Sequence, residues 1–127
     1  MTKNSILLID DEPDITFTIK SILEDDGFKV DSFTDPLSAL DNYQIIKIDL
    51  IILDIKMPKI DGFQLYTKIR EKDPKVKICF LTAIETFNEE FRKTQLVLGK
   101  TINEDYFIEK PIKMEDLIKK LTYIMNI

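Results

Sequence analysis

The chain has 127 residues, 44% hydrophobic and 32% charged, a balance that fits one globular domain with a proper core. It holds no histidine, no tryptophan and one cysteine, which excludes Ser-His-Asp and Cys-His catalysis, His-ligated metals, an internal disulfide and multi-Cys metal centres. The net charge of −5 argues against direct contact with nucleic acid, whose phosphates need a basic patch.

The first apolar run, residues 5–10 (SILLID), reads as a strand that ends in Asp10-Asp11-Glu12. Acids arrive here before any signal-peptide core could form, and no apolar stretch is long enough to span a bilayer. A cytoplasmic location and no membrane contact are therefore expected. From Pro13 onward, Ile15, Ile19, Ile22 and Leu23 lie on one face of a helix, with the proline in its first turn. Residues 28–33 (FKVDSF) alternate and suit an edge strand. Asp35-Pro36 opens a second helix with a capping acid and a first-turn proline.

Residues 49–54 (DLIILD) form the third strand, nearly all apolar and ending in Asp54. Asp61-Gly62 precedes a third helix carrying Leu65 and Ile69. Residues 76–81 (VKICFL) form the fourth strand and run into Thr82-Ala83, with Cys79 as a small buried hydrophobe. Phe87, Phe91 and Leu98 mark a fourth helix, which Gly99 could end. Residues 105–109 (DYFIE) form the fifth strand, before Lys110-Pro111. Leu117, Leu121 and Ile124 mark the last helix.

Strand and helix thus alternate five times. Short connections between them predict an α/β fold, a parallel sheet with helices on both faces. In such sheets ligands bind beyond the carboxyl ends of the strands. Asp10, Asp11, Asp54, Thr82 and Lys110 all fall there. Each alone has an ordinary explanation as a cap, a turn or a surface residue. Together they place acids, a hydroxyl and an ammonium on one rim. Clustered carboxylates repel unless a cation neutralises them, and oxygen ligands select a hard ion such as Mg²⁺. A carboxylate can then attack a phosphoryl group made electrophilic by the ion and a lysine.

The runs ILLIDDEP, LIILDIKMPKIDG, FLTA and YFIEKP together resemble the receiver domain of two-component response regulators. The resemblance covers nearly the whole chain. It implies a flavodoxin-like, doubly wound (βα)5 sandwich with strand order 2-1-3-4-5. It implies one receiver domain over residues 1–127, with no output domain in the chain. Asp54 would accept the phosphoryl group. Mg²⁺ (or Mn²⁺) would be held by Asp10, Asp11, Asp54 and the Lys56 backbone carbonyl. Lys110 and Thr82 would bind the phosphoryl group. Thr82 and Phe107 would form the switch pair, Phe107 turning inward as Thr82 moves. Lys110-Pro111 would be a cis peptide bond, and Met57-Pro58 with Asp61-Gly62 would shape the loop after the acceptor.

The implied partners are a histidine kinase or histidine phosphotransfer protein, and a downstream protein on the face of the fourth helix, fifth strand and fifth helix. The domain is expected to be a monomer or weak homodimer and not a turnover enzyme. The alternative is a docking module that works without phosphorylation. Two other uses of an aspartate or of this fold fit less well. A haloacid-dehalogenase-type phosphatase wants a second Asp where Lys56 stands, and a flavodoxin wants a hydroxyl- and glycine-rich loop where DDEPDI stands.

Two side chains beside the site are expected to tune it. Lys56 would lean over the phosphoryl group, and Ile84 would slow its loss by crowding the attacking water. The stretch from Thr82 to Lys110 is longer than the family's usual one by roughly one to two helical turns. It lacks the small Gly-Ala pair before strand five and reads LGKTINEDYF, with residues 100–104 as a polar loop. Either this is a surface insertion of no consequence, or it reshapes the partner-binding surface.

Overall fold

A computed structural model of the chain describes residues 4–43, 48–57, 59–99, 102–110 and 113–126; the side chains of Ile84 and Glu104 lie outside that description. The strands are β1 (Ser5–Ile9), β2 (Lys29–Phe33), β3 (Leu50–Asp54), β4 (Lys77–Ala83) and β5 (Phe107–Lys110). The helices are α1 (Pro13–Asp25), α2 (Pro36–Asp41), α3 (Gly62–Lys72), α4 (Phe87–Leu98) and α5 (Met114–Met125). All strand pairings are parallel, in the order β2-β1-β3-β4-β5. This is the flavodoxin-like order that the resemblance implies. β4 runs two residues further than the apolar run suggests, through Thr82 and Ala83, which pair with Glu109 and Lys110 of β5.

Alternate residues of the central strands supply two separate cores, as the pleat requires. Leu7, Ile9, Ile51, Leu53, Ile78 and Phe80 face one layer with Phe63, Leu65, Tyr66 and Ile69 of α3. Ile6, Leu8, Leu50, Ile52, Cys79 and Leu81 face the other with Ile19 and Leu23 of α1 and Leu117, Leu121 and Ile124 of α5. A strand covered on both faces has no need of polar alternation, and every residue of β3 is buried. β2 lies at the edge, where its alternation places it. No helix among the described residues is long and apolar enough to cross a membrane.

The segment after α4 has a definite shape where it is described. Gly99 ends the helix at φ 66°, in the left-handed region that glycine enters without steric cost. Gln95, on the last turn, then grips the returning chain from both sides. Its Nε2 donates to the Ile102 carbonyl at 2.9 Å, and its Oε1 accepts from the Ile102 N–H at 2.6 Å. Ile102 packs on the α3-side core, and a 3-10 turn (Glu104–Tyr106) leads into β5. Lys100 and Thr101 of the expected polar loop lie outside the described residues.

Candidate functional site

Parallel strands point their carboxyl ends to one edge, so the termini of β1, β3, β4 and β5 meet there. Asp10 follows β1 and is fully buried. Its Oδ1 accepts from the Glu12 N–H at 2.9 Å, and its backbone carbonyl accepts from the Thr16 hydroxyl at 3.0 Å. The Glu12 carbonyl lies 2.9 Å from the same hydroxyl and shares its one proton, so the first turn of α1 fastens the acidic corner. Asp10 Oδ2 is buried and meets the Lys110 ammonium at 3.0 Å.

Asp54 closes β3 and is 4% exposed. Lys110, from the end of β5, reaches across to place Nζ 3.3 Å from Asp54 Oδ1 and 3.4 Å from Glu12 Oε1. One carboxylate oxygen from each of Asp10, Asp11, Glu12 and Asp54 falls in a cluster whose members are all within 4.8 Å of one another. Glu12 belongs to this set beside the residues expected from the sequence. Its signal was its place in the same acidic triplet.

Burial first, and then the neighbouring Asp10 carboxylate, push the Asp54 carboxyl up to about 7, against the pull of Lys110. Burial acts to lower Lys110, but the Asp54 and Asp10 carboxylates outweigh it and hold the ammonium above its ordinary range. The pocket therefore carries more negative charge than its single lysine neutralises. A hard divalent cation fits that deficit. The donor set is all oxygen, and the one lysine is shared among Asp10, Glu12 and Asp54.

The loop after Asp54 is shaped by the start of α3. Asp61 and Gln64 form a reciprocal capping box. Gly62 donates to the Ile55 carbonyl at 2.9 Å and lies so close to the chain that a Cβ there would sit 2.5 Å from the Asp54 carbonyl oxygen. Only glycine permits that approach, which anchors the backbone of the acceptor strand. Pro58 and Pro111 lie outside the described residues, and with them the expected cis bond and the Met57-Pro58 turn.

Thr82 is buried in β4, and its hydroxyl donates to the Glu90 carboxylate of α4. Glu90 was not singled out from the sequence, although 87, 90, 91, 94 and 98 fall on one helical face and predict its burial. The Lys56 ammonium pairs with Glu90 Oε1 at 3.6 Å, and its side chain is 73% exposed.

Phe107 is the other residue named for the switch pair. It is already wholly buried, between Phe80, Phe87 and Phe91 at ring distances of 5.4, 5.8 and 5.1 Å. Phenylalanine has no hydroxyl to keep at the surface, and two α4 aromatics clamp it. Phe107 thus already holds the inward position in this structure. The backbone of Ile84 opens a 3-10 turn (Ile84–Thr86), but its side chain, and with it the expected crowding of water, lies outside the described residues.

A five-stranded parallel sheet with an acidic pocket and a lysine at its carboxyl edge defines a receiver-type α/β domain. The model of the response regulator receiver domain matches residues 6–122, and the chain belongs to that family. It is 31% identical over 121 residues to the transcriptional regulatory protein TrcR of Mycobacterium tuberculosis, covering 95% of this chain and 45% of that protein. It is 40% identical over 125 residues to the sensor protein EvgS of Escherichia coli O157:H7, covering 98% of this chain and 10% of EvgS. Among solved structures, the chemotaxis protein CheY4 of Vibrio cholerae superimposes with a TM-score of 0.81 at 28% identity, over 97% of this chain and 99% of that one. The chain therefore spans less than half the length of these two curated relatives.

Proposed function

We propose that this receiver domain is a phosphorylatable switch with Asp54 as the phosphoacceptor. The observation that carries the reading is the Asp54 carboxylate, buried at the end of β3, with Lys110 at 3.3 Å and three further carboxylates grouped around it. Asp10, Asp11, Asp54 and the Lys56 carbonyl, with Glu12 close by, would hold Mg²⁺ or Mn²⁺. Such an ion supplies charge neutralisation and polarises the phosphoryl oxygens. Asp54 must be ionised to attack, and its carboxyl, held near 7 by burial, needs the charge balance of the pocket to stay so. Lys110 meets the incoming phosphoryl oxygens as a point charge. Burial of Asp54 and Asp10 keeps these interactions strong by limiting water.

With no histidine in these 127 residues, a phosphohistidine donor lies outside this domain, on a histidine kinase or a phosphotransfer protein. Phosphorylation adds charge and strong acceptors at the rim. Thr82 is the group best placed to answer them. The readout surface is the α4-β5-α5 face; α4 exposes Leu96, and α5 exposes Met114 and Tyr123. The output itself belongs to whatever partner that face meets.

The test is incubation with Mg²⁺ and acetyl phosphate, followed by mass spectrometry of the intact protein. A phosphoryl adduct is expected for wild type. It should be absent in Asp54→Asn and in metal-free buffer. An adduct that persists in Asp54→Asn removes Asp54 as acceptor. No adduct under any condition leaves the phosphorylation-independent docking module as the function.

A further inference from the structure

The buried acids among the described residues are Asp10, Asp54 and Glu90. Two belong to the acidic pocket. The third stands on the first turns of α4 and makes three contacts that converge on one carboxylate. Oε2 accepts the Thr82 hydroxyl, Oε1 accepts the Thr86 hydroxyl at 3.1 Å, and Oε1 lies 3.6 Å from the Lys56 ammonium. Thr94 donates to the Glu90 backbone carbonyl at 2.7 Å and holds this turn of the helix in place. A buried carboxylate so fully satisfied is more than a solvated helix residue.

A threonine hydroxyl carries one proton and makes one donor bond. While that proton goes to Glu90, it cannot go to a phosphoryl oxygen on Asp54. The Lys56 ammonium, two residues after Asp54, is drawn to the same carboxylate. We propose that Glu90 is a positioning residue that latches Thr82, and secondarily Lys56, onto α4, so that a phosphoryl group on Asp54 must compete with it for the Thr82 proton. The proposal rests on Asp54 being the acceptor for its consequence, but the latch itself exists without phosphate. It also gives α4 a direct part in the switch. Release of Thr82 leaves the Glu90 carboxylate without its buried donor and so favours a shift of the first turns of α4. Phe107, already inside, serves as the fixed floor against which α4 moves.

A hydrogen bond to a charged group shifts an equilibrium by on the order of tenfold. Removing the latch should therefore tighten binding of a phosphoryl analogue by about that factor. The probe is beryllium trifluoride with Mg²⁺, titrated against wild type, Glu90→Met, Glu90→Gln and each in a Thr82→Ala background. The readouts are the dissociation constant and the Thr82 χ1 rotamer from NMR couplings. Methionine keeps the length and volume of the side chain but accepts no proton. Glutamine still accepts the Thr82 proton through its amide oxygen and loses only the charge facing Lys56.

Expected are a single Thr82 rotamer in free wild type that changes when the analogue binds, and a Thr82 rotamer already redistributed in free Glu90→Met. Analogue binding should be about tenfold tighter in Glu90→Met and within about threefold of wild type in Glu90→Gln. In the Thr82→Ala background the Glu90→Met effect should shrink to that of Glu90→Gln. An unchanged rotamer in free Glu90→Met, a wild-type rotamer that ignores the analogue, or a tightening that survives Thr82→Ala overturns the latch. If Glu90→Met does not fold, the wild-type rotamer change decides. Analogue binding that is equal in Asp54→Asn counts against the acceptor instead, and the rotamer of free Glu90→Met still judges the latch.

Discussion

The raised Asp54 carboxyl makes a prediction about stability that needs no phosphate. Its ordinary value is 3.8, and burial with Asp10 carries it to about 7 in the folded protein. The folded state thus holds a proton on Asp54 that the unfolded chain has already released. Stability from this group is complete below pH 4 and is lost as pH rises through 7. By pH 8 the span corresponds to roughly 4 kcal/mol of destabilisation in metal-free protein. Asparagine resembles the protonated acid in shape and charge, so Asp54→Asn should recover much of that cost. Pocket relaxation and water entry trim the gain, and about 2 kcal/mol is expected, or roughly 8 °C in Tm for a domain of this size.

The assay is thermal denaturation followed by circular dichroism in chelator, at pH 8 and at pH 5. The variant should be the more stable at pH 8, and the gap should narrow at pH 5. Adding Mg²⁺ should then stabilise wild type in proportion to its occupancy of the native state, and the variant much less. A variant less stable than wild type at pH 8 in chelator, or a gap that ignores pH, would refute the account of a carboxylate held ionised at a cost.

Other outcomes follow from particular contacts. Gly62→Ala should cost about 1–3 kcal/mol in chemical denaturation and slow adduct formation, because its Cβ would press on the Asp54 carbonyl; full stability would mean the loop yields freely. Gln95→Ala should cost about 1–2 kcal/mol through its two bonds to Ile102, and the Ile102 amide should lose protection in hydrogen exchange while β1 keeps its own. Cys79 is wholly buried and burial pushes its thiol up to about 12, so a thiol reagent should label it only as fast as the protein unfolds. For Lys110→Ala, partner binding should weaken even where some adduct forms; a phosphorylation response equal to wild type would contradict its role.

Two kinds of information specify this domain. The apolar runs of β1, β3 and β4 and the helical spacing of Ile15, Ile19 and Leu23 are local patterns, so strand and helix order were legible in the chain itself. The placement of Asp10, Asp54, Thr82 and Lys110 on one rim also followed from sequence, since parallel strands bring their carboxyl ends to one edge. What only tertiary structure decided is which groups pair across that rim. Lys110 reaches Asp54 over 56 positions and Glu12 over 98, distances along the chain that no local pattern encodes.

Thr82, Lys56 and Glu90 show the same limit. Each was readable as a residue type on a strand, a loop or a helix face. Their meeting at one buried carboxylate depends on how α4 packs over β4. Phe107 is the converse case. Its position three residues before Lys110 was plain, yet its state was set by Phe87 and Phe91 closing over it from another element. Sequence determined the elements and the edge where the chemistry gathers, because these depend on periodicity and chain direction. The partners of each charge and hydroxyl were settled by packing, because hydrogen bonds between elements require their final separation and tilt.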